Sequence, residues 1–116
     1  MKFADYIKSQ EAEGKEKHVP AITVDECSSG KELSVKIQVG TEALHPATIE
    51  HHIKWIAVFG EANDDKFIHI STINLGEQFT PPKAIVNIKK DFKNVVVLSF
   101  CNIHGVWENS MEVENG

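Results

Sequence analysis

Five of the six histidines and one of the two cysteines fall in three short stretches of this 116-residue chain. "EGKEKHVPAI" holds His18, "HPATIEHHIKW" (residues 45–55) holds His45, His51 and His52, and "SFCNIHGVWE" holds Cys101 and His104. The chemistry these side chains share is metal ligation. A Cys-x-x-His turn such as "CNIH" puts a thiolate and an imidazole on one metal, with backbone N–H groups aimed at the sulfur. The same four residues also fit a buried cysteine ending a core strand beside a surface histidine.

Spacing constrains the second stretch. His45 and His51 are six residues apart, so on one extended strand they would lie about 20 Å from each other. Two imidazoles on one metal, each bonded at about 2.0–2.1 Å, do not span that distance. The segment must therefore bend, and Pro46 with the following "ATIE" offers the place. His45 then comes from a loop and His51 from the entrance of a strand, while His52 points to the opposite face. The bland alternative is a charged, solvated loop. In the first stretch His18 precedes Val19-Pro20, which holds its backbone extended, and Glu16 and Lys17 stand just before it. Taken alone, that too is a charged loop. Taken together, the three stretches supply four histidines and one thiolate. Zinc is satisfied by four ligands. Five mixed imidazole and thiolate donors suit a redox iron with one position left open, whereas zinc or copper would use fewer. His69, inside "FIHIS", has no such context, and neither does Cys27.

The elements that must position these residues are strands. "ELSVKIQVG" alternates cleanly, with Leu33, Val35, Ile37 and Val39 on one side and Ser34, Lys36 and Gln38 on the other. "AITVD", "IKWIAVFG", "KFIHISTINL", "KAIVNIKK", "NVVVLSF" and "SMEVE" are the other candidates, separated by the turn compositions "SSGK", "EANDD", "TPPK", "DFKN" and "NIHG". Phe3, Tyr6 and Ile7 have helix-like spacing, which predicts a short N-terminal helix or turn. Seven strands with no helices between them predict an all-β, antiparallel, immunoglobulin-like β-sandwich, one domain spanning residues 1–116.

Composition excludes several classes. The chain is 41% hydrophobic and 25% charged, an ordinary globular balance. A net charge of −5 is no nucleic-acid footprint, and it repels small anions, so anion chemistry would need a local cation. No apolar run has membrane-spanning length and the start has no signal-peptide core. Two cysteines rule out a disulfide-rich scaffold. A reduced, cytoplasmic protein is expected.

"EKHVP", "HPxTxEHHI" and "CNIHGxWE", in this order and over nearly the whole chain, resemble the superoxide reductases of the desulfoferrodoxin family, in particular the one-iron type also called neelaredoxin. The resemblance implies the same seven-stranded sandwich and one-electron reduction of superoxide to hydrogen peroxide at a mononuclear non-haem iron. It implies His18, His45, His51 and His104 as equatorial ligands and Cys101 as the axial thiolate. Glu16 matches the carboxylate that occupies the sixth position in the ferric form, and Lys17 the cation beside the open site. It further implies rubredoxin or a similar electron donor and a homo-oligomer, most often a tetramer. Ala47 stands where many members have asparagine, and the stretch from Gly60 to Lys83 is short beside many relatives, which bears on the usual oligomer contacts. The four-cysteine domain of two-iron members is lacking. Two other functions compete: a blue-copper-like electron carrier using Cys101, His104 and Met111, and a superoxide dismutase. An immunoglobulin-like binding module without metal would leave the three stretches as coincidence.

Overall fold

The computed structural model describes residues 1–9, 18–40 and 43–113. Seven strands run β1 Pro20–Glu26, β2 Glu32–Val39, β3 Ile53–Ala62, β4 Phe67–Asn74, β5 Lys83–Lys89, β6 Phe92–Cys101 and β7 Gly105–Glu112. They form a three-stranded sheet, β1-β2-β5, and a four-stranded sheet, β4-β3-β6-β7. Every named strand pairing is antiparallel. This is the predicted sandwich, with β4 paired to β3 rather than to β5.

Period-two alternation builds the core. In β2, Leu33, Val35, Ile37 and Val39 are all buried; in β6, so are Val95, Val97, Ser99 and Cys101. The inward face of β6 thus delivers the Cys101 sulfur by the same rule that buries its valines. Ile53, Ile56 and Val58 of β3, Ile22 of β1, Ile88 of β5 and Val113 complete the cluster. Full burial of one such side chain contributes about 1.5–3 kcal/mol. A core of this kind stands without a metal, unlike that of a zinc finger.

Three boundaries differ from expectation. The seventh strand begins at Gly105, five residues before the anticipated "SMEVE", and pairs Gly105 with Cys101. Its first half hides its period, because the one buried residue, Trp107, is followed by the polar Glu108 and Asn109. The turn expected at "DFKN" is shorter, since β6 already starts at Phe92, and β3 runs on through Glu61 and Ala62. The N-terminal helix is a single 3-10 turn at Phe3–Asp5, with Phe3 and Tyr6 exposed. The chain is held further on, where Lys8 forms a parallel bridge with Trp107: its N–H donates to Val106 and its carbonyl accepts from Glu108.

Among the described residues, no helix is long and apolar enough to cross a membrane.

Candidate metal centre

Four histidines and Cys101 meet at one end of the sandwich. His18 immediately precedes Val19 and β1, and its carbonyl accepts from the buried Ser99 hydroxyl at 3.3 Å. Trp107 stacks on its ring at 4.9 Å and 16°, while the indole N–H donates to the His104 carbonyl at 3.2 Å. One side chain of β7 therefore braces two of the histidines.

His45 follows β2 through a sharp turn. Gly40, at φ +100°, lets the chain reverse so that the His45 N–H reaches the Val39 carbonyl at 3.0 Å. A Cβ on Gly40 would overlap the Ala43 carbonyl oxygen and press on the His45 nitrogen at 3.2 Å. Gly40→Ala is expected to destabilise the protein by about 2 kcal/mol or more and to lower its iron content by shifting His45. Denaturant midpoints and iron per chain measure both, and an unchanged pair would mean that the turn tolerates a side chain.

The bend foreseen at Pro46 and the following "ATIE" is present, closed between Thr48 and His51. There the two residues exchange backbone hydrogen bonds of 3.0 and 3.2 Å, and the threonine hydroxyl both accepts from the His51 N–H and donates to its carbonyl. His52, expected on the opposite face from His51, is not among the ring pairs of the site. It is buried, its Nδ1 donating to the Thr48 carbonyl at 2.9 Å, because the regular strand begins only at Ile53. Cys101 closes β6 with no exposed surface, and the His104 N–H points at its sulfur at 3.4 Å.

The rings form a closed square. Successive centroids are 5.0 Å apart from His18 to His45, 4.5 Å from His45 to His51, 5.1 Å from His51 to His104 and 4.5 Å from His104 to His18. The His18–His51 diagonal is 6.1 Å, and each ring stands edge-on to the next at 63–78°. The donor atoms of His18, His51, Cys101 and His104 lie within 4.8 Å of one another; His45 falls outside that set but stays next to His18 and His51 in the square. His104 turns its Nδ1 inward, 2.9 Å from His18 Nε2 and 3.7 Å from the Cys101 sulfur. His45 donates Nδ1–H to the Pro46 carbonyl at 2.8 Å, which leaves its buried Nε2 without a hydrogen-bond partner. A buried, unpartnered nitrogen is costly unless something else binds it, and a metal ion is what this donor set accepts. The Pro46 carbonyl also supplies a local bond to His45 despite Ala47.

Glu16 and Lys17 lie outside the described residues. Lys8 and His18, on either side of that stretch, both meet Trp107, and the Lys8 ammonium sits 5.4 Å from the indole centroid. Sequence reasoning gave Trp107 no role. Its signal was the aromatic two residues beyond Gly105, legible once β7 is started there. Lys8, Thr48, Ser99 and Asn102 were likewise missed, since their parts depend on partners far away in the chain.

The remaining residues stand apart. His69 bonds Thr72 on β4 and tilts against Phe59, and Cys27 is a free thiol at the end of β1 far from His18. Met111 pairs with Val95, six positions along β6 from Cys101, about 20 Å away. That removes the methionine a blue-copper site would need.

A seven-stranded sandwich with four imidazoles and one thiolate converging at one end defines a mononuclear metalloprotein of the mixed nitrogen–sulfur kind. The chain belongs to the desulfoferrodoxin family, which it matches over residues 10–110. It is 36% identical to neelaredoxin of Megalodesulfovibrio gigas, over 97% of this chain and 98% of the relative. The solved superoxide reductase of Nanoarchaeum equitans superposes with a TM-score of 0.81 at 32% identity, covering 92% of this chain and 99% of that one. The one-iron superoxide reductase of Giardia intestinalis gives 0.75 at 30% identity, covering 85% and 100%.

Proposed function

We infer that this chain is a one-iron superoxide reductase: superoxide, one electron and two protons give hydrogen peroxide. The observation that carries the reading is the square of His18, His45, His51 and His104 beside the buried Cys101 sulfur. Iron bound there supplies the electron by cycling between its ferrous and ferric states. The four imidazoles present neutral donors, and the Cys101 thiolate, as an anionic ligand, raises the donor power of the metal. His104 is exposed and His51 half-buried, so a small anion reaches the centre from solvent on their side.

The ligand roles of the five residues are proposals supported by this convergence. So are Glu16 as the ferric-state carboxylate and Lys17 as the local cation, which rest on the "EKHVP" resemblance. Attraction between unit charges about 6 Å apart, at an effective dielectric near 20, is about 3 kcal/mol before screening. Lys17→Ala is therefore expected to slow superoxide capture by up to about a hundredfold and to flatten its salt dependence, with iron still bound. An unchanged second-order rate would remove Lys17 from the mechanism. Rubredoxin or a similar donor, a homo-oligomer with a tetramer favoured, a single domain over 1–116 and a cytoplasmic location complete the proposal.

Stoichiometry tests the reading against dismutation. Reduction yields one peroxide per superoxide and consumes one external electron, whereas dismutation yields one peroxide per two superoxides and consumes none. Half the peroxide, with no reductant used, would overturn it.

A further inference from the structure

Asn102 lies in the Cys101–His104 turn, and its side chain reaches across to the turn that carries His51. Its side-chain oxygen accepts from the His52 N–H at 2.8 Å, and its amide nitrogen donates to the Glu50 carbonyl at 3.0 Å. Its own backbone N–H donates to the His52 carbonyl at 3.1 Å, where the β3–β6 ladder ends at Ile53 and Cys101. The amide orientation follows from these partners, because a flipped carboxamide would set oxygen against carbonyl and nitrogen against N–H. The backbone immediately before and immediately after His51 is thus tied to the residue that directly follows Cys101.

The opposite side of the same turn is closed by Thr48, through its hydroxyl and through its carbonyl on His52 Nδ1. Thr48 shapes the His51 turn internally. Asn102, the residue after the cysteine, is tied to that turn. We propose that Asn102 is a positioning residue that sets the His51 imidazole against the Cys101 thiolate, so that the metal keeps both ligands through its redox cycle.

This rests on the iron reading above, and its consequences are separable from it. A residue serving only the Cys101–His104 turn would be replaceable by any good turn former. A positioning residue needs both its donor and its acceptor. Asn102→Asp keeps the acceptor for the His52 N–H and loses the donor, setting an oxygen against the Glu50 carbonyl. Asn102→Ala loses both.

The test uses iron-loaded protein and the metal-free chain. With iron, release to a ferrous chelator is expected to be about 10- to 100-fold faster in Asn102→Ala, the range typical when a ligand loses its supporting contact. Asn102→Asp should fall between it and the parent, and the ferric EPR signal should change in both. Without metal, the His52 backbone amide should exchange its proton several-fold faster in both variants. Parental release rates and EPR in both variants would overturn the proposal, even if thermal midpoints fell. If Asn102→Ala does not fold, Asn102→Asp decides alone. If the parent takes up no iron, the iron reading fails, and His52 amide exchange at the parental rate would then overturn the positioning role by itself.

Discussion

Cys101→Ser is expected to abolish the thiolate-to-iron absorption completely and to reduce superoxide reduction by more than about a hundredfold. Loss of a ligand should exceed the 10- to 100-fold typical of losing a ligand's supporting contact. The sulfur has no exposed surface and lies at the inward end of β6, where a bound metal is shielded from water on that side. A serine hydroxyl there does not ionise as a thiol does, so the site loses its only anionic donor among the described residues. The fold itself should persist, because Val95, Val97, Ile56 and their neighbours form the core without the metal. Far-ultraviolet circular dichroism checks the fold, and the visible spectrum checks the ligand. A surviving sulfur band would transfer the role to Cys27, at the other end of β1.

The second large effect is carried by His45. Burial above all, and then the neighbouring His51, His18 and His104, push its pKa down to about 4, against the opposing pull of the Pro46 carbonyl. The same group titrates near 6.5 in the unfolded chain. Above that value both states hold it neutral, and it contributes no pH dependence. As the pH falls from 6.5 towards 4, the unfolded state binds the proton and the folded state does not, so the metal-free protein loses stability. His45→Ala should flatten that fall and, by removing an inward-facing donor nitrogen, lower iron affinity by more than about a hundredfold. Denaturant midpoints of the two metal-free proteins across this range, with iron content after loading, measure both. Equal slopes would mean that another group governs the acid limb.

How much of this was legible from sequence varies by element. β2 and β6 were, because an uninterrupted alternation of apolar residues admits one inward face, and in β6 that face leads to Cys101. The start of β7 was not, since the face of Trp107 also carries Gly105 and Asn109 there, and the hairpin depends on the positive φ of Gly105. At the site, residue types and spacings indicated which side chains converge and that the chain must bend between His45 and His51. The order of the square was not legible, nor was the inward turn of His104 Nδ1. Both follow from how four segments cross in space.

Supporting residues were the least legible. Asn102 and Trp107 lie within the motif that pointed to the cysteine, yet their hydrogen-bond partners are at Glu50, His52 and His104, and the ring against Trp107 is that of His18. No local pattern encodes such pairings. The burial of His52 was not legible for a related reason: its Nδ1 partner is the Thr48 carbonyl, inside the turn.

The central claim is that iron sits among four imidazoles and one thiolate. X-ray absorption at the iron edge of the loaded, oxidised protein tests it most directly. The account predicts a nearest shell with one sulfur among nitrogen donors, with the multiple scattering of imidazole rings, and with the sulfur contribution lost in Cys101→Ser. A nearest shell of nitrogen and oxygen alone, or a sulfur contribution that survives the substitution, would contradict it.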